Sequence, residues 1–538
     1  MSRDAGRRAG GAGRRVVPAA AGRGQRGGSG RRQAGSAGQG HGPAGRTAEG
    51  GQDGAGRGPD RARRTAHAVL LAVSERDAYA NLLLAAALRD RGLRGQDAAL
   101  ATELVYGTLR NRSCYDAVIG LCADRELSRI DPPVLEVLRL GAHQLLGMRI
   151  KAHAAVATTV DLAIGVIGRR PAGFVNAVLR RIAPRELESW LELVAPDRSA
   201  DPVGHLSVRY SHPRWIVTAF ADALGETVPS QHGAPEGAPD GAGDVGPARP
   251  ALAETEAALA ADQQRPAITL AAVPGLAEPA ELTGAGAQPA RWSPFGAYLP
   301  GGDPGALPAV AENRASVQDE ASQLAVLALT RAETGGEDRA WLDLCAGPGG
   351  KARLLAGLAA ERGAVVVAAD VHEHRARLTA QAIRESGAGR AVIADGTAPA
   401  WRHAAFDRVL ADVPCSGLGS LRRRPEARWR RGPADIAALG ELQRALLVSA
   451  IEATRPGGVL AYVTCSPHLA ETRDVLGDVL ASRGDLEVLD CPALLAGIDR
   501  LRCREPDSRY AQFWPHRHGT DAIFIALLRR ARQDQGAG

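Results

Sequence analysis

The chain has 538 residues, a formal net charge of +6, 45% hydrophobic residues and 4% aromatic residues. That length exceeds what one hydrophobic core supports, so about three domains are expected. The basic balance favours an anionic partner, nucleic acid first; the absence of a long apolar run excludes a membrane span, and seven cysteines without a C-x-x-C pair exclude a zinc ribbon or disulfide scaffold. The thiols are expected to be reduced, as in a cytoplasmic protein. The Arg-bearing N-terminus has no apolar core and does not read as a secretory signal.

Residues 1–60 are Gly, Ala and Arg with almost no large apolar side chain. They cannot offset chain entropy by burial and are predicted to be disordered. A linker-like tail is the favoured reading, a loose RNA-binding arm the alternative. Helical apolar spacing then runs over Ala66–Ser74, Ala80–Leu88, Ala98–Arg110, Val134–Leu146, Ala154–Val166 and Phe174–Ile182. Asp131-Pro132-Pro133 is a helix-start signal. The pattern predicts an all-α bundle over residues 61–190. Within it Arg110, Arg112, Arg169, Arg170, Arg180 and Arg181 are candidates for phosphate, each weighed against plain surface solvation.

Residues 191–315 read as a connecting element. Val203 to Leu224 is predicted as a strand leading into a helix, with His212-Pro213 at the turn. A low-complexity insertion occupies about residues 226–262, centred on the Gly/Ala/Pro/Asp run from Pro229 to Pro250, and is predicted to be unfolded. Pro266 to Val310 alternates short apolar runs with Gly and Pro, as a small mixed α/β element would. Val317-Gln318-Asp319-Glu320 opens the helix ASQLAVLALT.

Residues 316–532 alternate strand and helix, which predicts a parallel α/β sheet. The run WLDLCAGPGGK is a short apolar strand followed by a glycine loop and a helix. Gly347, Gly349 and Gly350 lack Cβ atoms, so backbone N–H groups there can approach a ligand closely. The strand AVVVAAD ends at Asp370, where such folds grip a ribose hydroxyl. The loop alone also fits the weakly specific dinucleotide pattern. Lys351 is one of only two lysines among 66 basic residues, a hint of chemical need. AVIAD ends at Asp395, FDRVLADVPCSGLG carries Asp412 and Cys415, and VLAYVTCS ends in Cys465. The chain closes with a loop and a predicted edge strand.

A lone cysteine is usually a small buried hydrophobe. Two thiols converging with an acid on a nucleotide-type site suggest another chemistry. Pyrimidine C5 becomes nucleophilic once a thiolate adds to C6, and a methyl donor completes that reaction.

ELVYGTLRN and GFVNAVLRRI resemble the NusB-like RNA-binding domain. LDLCAGPGGK, DVPCSGLG and VLAYVTCS, with VQDEASQ before them, resemble the motifs of S-adenosylmethionine-dependent RNA cytosine-C5 methyltransferases. Together they make the chain similar, from about Arg61 to Arg530, to the bacterial 16S ribosomal RNA enzymes of the RsmB/Sun (Fmu) family. The resemblance implies a NusB-like bundle, a small connecting element and a Rossmann-like class I methyltransferase domain. It implies that Cys345, Ala346, Gly347, Pro348, Gly349, Gly350 and Lys351 wrap the methionine and ribose of S-adenosylmethionine. Asp370 would take the ribose hydroxyls, Asp395 would sit by the adenine, and Asp412 would lie between cofactor and base. Cys465 would be the nucleophile and Cys415 would assist breakdown of the adduct. A monomer acting on ribosomal RNA, without metal or membrane, is expected. Two departures stand out: Gly347 replaces a common Ala, and Asp521-Ala522-Ile523-Phe524 replaces the usual D-G-F-F.

Four rivals remain. A dehydrogenase leaves both cysteine motifs unexplained; a DNA cytosine-C5 methyltransferase uses the P-C cysteine as nucleophile; an antitermination-type RNA-binding factor makes the C-terminal half redundant. Methylation of a transfer RNA or 23S ribosomal RNA cytosine differs only in substrate.

Overall fold

The computed structural model describes residues 58–76, 78–227, 252–504 and 508–532. The tail up to residue 57 and the run from Pro229 to Pro250 lie outside the described residues.

Eight helices build the N-terminal bundle: α1 (Gly58–Arg76), α2 (Ala80–Asp90), α3 (Gly95–Arg110), α4 (Arg112–Ala123), α5 (Pro132–Leu146), α6 (Ala152–Ile167), α7 (Arg169–Ile182) and α8 (Leu187–Val194). Their apolar stripes close two cores. Leu70 of α1 meets Leu104 and Val105 of α3 and Leu140 of α5. Val118 and Ile119 of α4 meet Val137 and Leu138 of α5 and Val175 and Leu179 of α7. Each such side chain contributes roughly 1.5–3 kcal/mol by leaving water. Two helices, α4 and α8, escape the periodicity reading. Only Asn111 separates α3 from α4, with no Gly or Pro to mark the break. The bundle also continues past Trp190, whose Nε1 donates to the Ile182 carbonyl at 3.0 Å.

The passage predicted as a strand before His212-Pro213 is instead a helix, α9 (Pro202–Arg209). Pro202 at its first turn and the Asp201 carboxylate, which accepts from the Gly204 N–H at 2.9 Å, start it. The turn at His212-Pro213 stands, and α10 (Arg214–Leu224) follows. A second correction concerns the insertion. Its last residues form a helix, α11 (Ala253–Asp262). The Glu226 carboxylate accepts from the Glu254 and Thr255 N–H groups at 3.0 and 2.8 Å, and Leu259 packs on the α10 core. These partners are distant in sequence, so composition alone hid the helix.

A four-stranded antiparallel sheet follows in the order β2-β3-β1-β4, formed by β1 (Ile268–Ala272), β2 (Gln288–Pro289), β3 (Gly296–Leu299) and β4 (Ala315–Val317). Asp319 caps the helix Glu320–Arg331 through the Ala321 N–H. Glu320 accepts from the Ser293 N–H at 2.7 Å and from Tyr298, tying the small sheet to that helix.

The large sheet runs β10-β12-β9-β8-β5-β6-β7, with β11 paired to β12. Its members are β5 (Ala340–Asp343), β6 (Val365–Asp370), β7 (Gly389–Ile393), β8 (Phe406–Asp412), β9 (Thr454–Thr464), β10 (Leu486–Leu489), β11 (Ala511–Gln512) and β12 (Phe524–Arg530). β5 to β9 pair in parallel, as predicted, with helices Gly350–Glu361, Glu373–Ile383 and Pro433–Ala453 between them. The last strand differs from expectation. β12 runs antiparallel and lies inside the sheet, because β10 covers its outer edge. β10 has four residues and only Leu489 is buried, too little pattern to be read as a strand.

Candidate active site

Strand order reverses between the parallel neighbours β5 and β8, the point at which open α/β sheets form a ligand crevice. The C-terminal ends of five neighbouring parallel strands bring together Asp343, Asp370, Asp395, Asp412 and Cys465. The loop Cys345–Gly349 leaves β5 and the loop Val413–Gly417 leaves β8.

Cys415 Sγ lies 3.2 Å from Cys465 Sγ. This pair lines a cleft of about 410 Å³ together with Asp412, Pro414, Arg424 and Arg430. A hydrogen bond from Cys415 draws the Cys465 thiol below its ordinary pKa against desolvation, with help from the Lys351 ammonium. The same bond and desolvation push Cys415 well up. Desolvation also raises the other five thiols, to about 12 for Cys114 and about 11 for Cys503. Cys465 is therefore the one thiol of the seven poised toward thiolate.

Lys351 Nζ donates to Asp412 Oδ2 at 2.8 Å. Desolvation opposes the ammonium, and Asp412 outweighs it, so the Lys351 pKa is raised. Asp370 holds the glycine loop: its carboxylate accepts from the Gly347 N–H at 3.1 Å and the His372 N–H at 2.8 Å. Each oxygen keeps a second lone pair for a ligand. Asp395 is exposed, and accepts from the Thr397 N–H at 2.9 Å and its hydroxyl at 2.7 Å.

Residues that the sequence reading passed over support these groups. Asp343 is fully buried, and neither carboxylate oxygen has a hydrogen bond of ordinary geometry. Desolvation, then Asp412, lifts its pKa to about 8, with Lys351 opposing. Glu471 locks the two cysteine loops together. It accepts from the Ser416 N–H at 2.7 Å, from the Ser416 hydroxyl and from Gln443 at 3.1 Å, while Ser416 Oγ reaches Ser466 Oγ at 3.1 Å. The serine after each cysteine was the available signal. Gly419 adds a backbone tie: its N–H donates to the Cys465 carbonyl and its carbonyl accepts from the Ala522 N–H, both at 2.8 Å. The altered Asp521–Phe524 segment thus packs directly on the Cys415 loop. Asp319 and Asp521, from the VQDE run and that segment, share Arg423 at 2.7 and 3.0 Å.

The 16S rRNA methyltransferase RsmB/F family matches residues 328–529, and the NusB family matches residues 60–184. A Mycobacterium tuberculosis (strain H37Rv) protein named as a methyltransferase is 50% identical over 478 residues, 87% of this chain and 96% of the relative. A Bacillus subtilis protein named as a ribosomal RNA small subunit methyltransferase B is 30% identical over 477 residues, 87% of this chain and 98% of the relative.

The chain belongs to the RsmB/F methyltransferase family.

The crystal structure of PH0851 shares the fold, with a TM-score of 0.67 at 21% identity over 88% of this chain and 99% of that one. As an RsmB/F enzyme the protein is an S-adenosylmethionine-dependent RNA methyltransferase. The site suits a cationic cofactor: Asp370, Asp395 and Asp412 stand together at its strand ends, and Asp370 and Asp395 keep lone pairs free for a ligand. Both halves of the expected fold class, NusB-like bundle and α/β methyltransferase sheet, are present. The dehydrogenase and antitermination readings fall with this assignment. Among the described residues no helix is long and apolar enough to cross a membrane.

Proposed function

We propose that the enzyme methylates C5 of a cytosine in ribosomal RNA, 16S being favoured by family, through a covalent Cys465–C6 adduct. The observation that carries this reading is the 3.2 Å approach of Cys415 to Cys465, with Cys465 the acidified partner. The Cys465 thiolate adds to C6 and moves the ring electrons toward C5. S-adenosylmethionine supplies the methyl group that C5 then takes. Cys415, after losing its own proton to solvent, takes the C5 proton, and the freed electron pair returns to the ring and expels the Cys465 thiolate. Asp412, steered by Lys351, accepts a hydrogen bond from the cytosine amino group. Cys345 to Lys351 wrap methionine and ribose, Asp370 takes the ribose hydroxyls, and Asp395 stands by the adenine.

The two thiols are separable by experiment. Cys465→Ala lacks the nucleophile and is expected to give neither methylation nor a covalent RNA adduct. Cys415→Ala still attacks through Cys465 but releases product poorly, so a nuclease-sensitive, slow-migrating protein–RNA species accumulates on a denaturing gel. A trap formed by Cys465→Ala instead would reverse the assignment, as the logic of DNA cytosine-C5 enzymes requires.

A further inference from the structure

Beside the cysteine cleft lies a second one of about 480 Å³, bounded by the bundle, the small sheet and the segment after Cys415. Its wall includes Tyr106 and Arg110 of α3, Arg265 and Ile268 of the connector, and Arg424. Arg110 is only 8% exposed, and its Nε has no hydrogen-bond partner. A buried guanidinium is costly unless an anion or acceptor meets it. The charges that act on it most are Glu103, which is drawn toward His143 at 3.4 Å, and the like-charged Arg265. Arg265 and Arg424 are exposed. The neighbouring Arg422 and Arg423 are already committed to Gly519, Asp319 and Asp521. Arg424 lines both clefts, so they adjoin. Tyr106, Ile268 and Pro266 add an apolar wall on which a base or ribose can pack.

We infer that this second cleft binds a nucleotide of the substrate RNA flanking the target, its phosphate held by Arg110, Arg265 and Arg424 and its base against Tyr106. The inference rests on the proposed RNA substrate of the cysteine cleft, and names a site outside that cleft. Arg110 and Arg424 are brought within reach of one strand only when bundle and catalytic sheet pack together. Tethering the strand here fixes which base enters the cysteine cleft, because contacts to a non-reacting part of a substrate orient the reacting part.

The test uses the full chain, a short single-stranded oligoribonucleotide and S-adenosylmethionine. Arg265→Ala, a surface change, and Arg110→Gln are each expected to weaken RNA binding about tenfold. Each lost phosphate contact lowers the slope of log affinity against log salt by about 0.7. Calorimetric binding of S-adenosylmethionine stays at the wild-type level. With 4-thiouridine next to the target cytosine, cross-linking is expected on the peptide containing Tyr106 and to fall in Arg265→Ala. Unchanged affinity and salt slope in Arg265→Ala, or cross-links only elsewhere, would overturn the inference. A wild-type enzyme that binds the oligonucleotide in this cleft yet methylates no cytosine would instead count against the cysteine chemistry.

Discussion

Asp343 shows how one side chain couples the site to stability. Its carboxyl stays protonated in the folded protein up to about pH 8, while in the unfolded chain it ionises near pH 4. Between those values the folded state binds the extra proton, so stability falls as pH rises. Asp262, raised to about 7 by desolvation, adds to the same slope. Asp343→Asn removes one of the two titrations. Its stability is expected to match wild type near pH 4 and to exceed it near pH 8 by about 5 kcal/mol, at about 1.4 kcal/mol for each pH unit between the two titrations. Parallel melts at both pH values check this; a variant less stable than wild type at pH 8 would mean that Asp343 is charged and paired. Gly347 is the other telling residue. Its φ of +57° suits glycine, yet a Cβ there would meet nothing within 4 Å. Alanine at this place would cost only backbone strain of about 1–2 kcal/mol.

At the scale of elements, the loop after β8 is held by three neighbours: Glu471, the Cys465 carbonyl and the Ala522 N–H. Gly419 sits where they meet, and a Cβ there would overlap the Ala522 carbonyl and crowd the Cys465 carbonyl. Gly419→Ala therefore pushes the Cys415 loop away from Cys465. Such a shift is expected to lower methyl transfer about a hundredfold while costing roughly 1–3 kcal/mol of stability. Methyl incorporation measured beside calorimetric S-adenosylmethionine binding separates the two effects. Wild-type turnover in this variant would show that the loop tolerates displacement.

Across the whole molecule, the segment Pro425–Trp429 fastens bundle to catalytic sheet. Arg428 is fully buried and donates to the carbonyls of Arg110, Ser211 and Asp262 at 2.8, 3.1 and 2.9 Å. Arg430 stacks on Tyr79, its guanidinium 3.9 Å from the ring centre, and Glu426 accepts from the Ala80 N–H at 3.2 Å. Arg428→Met keeps the bulk and removes every donor. It leaves three buried carbonyls and Asp262 without their cation, a loss of about 3–5 kcal/mol. Amide exchange in residues 208–212 and 260–264 is expected to accelerate more than exchange in β5 or β8. Equal protection in wild type and variant would show that the junction is held by apolar packing alone.

Local pattern was enough for much of this. Apolar spacing marked six of the eight bundle helices, because a 3.6-residue stripe is written within a dozen residues. Glycines, Asp370, Asp412, Cys415 and Cys465 were legible because each stands at the end of a short apolar strand. Tertiary structure decided what depends on partners far along the chain. β12 took an interior place because β10, some 40 residues earlier, was free to pair outside it. Arg428 looked like one more surface charge in an arginine run, and is buried by a carbonyl 318 residues away. Arg110 lost its water in the same way. Charge is a property of the residue, whereas desolvation is imposed by whatever packs against it, and no local pattern encodes that.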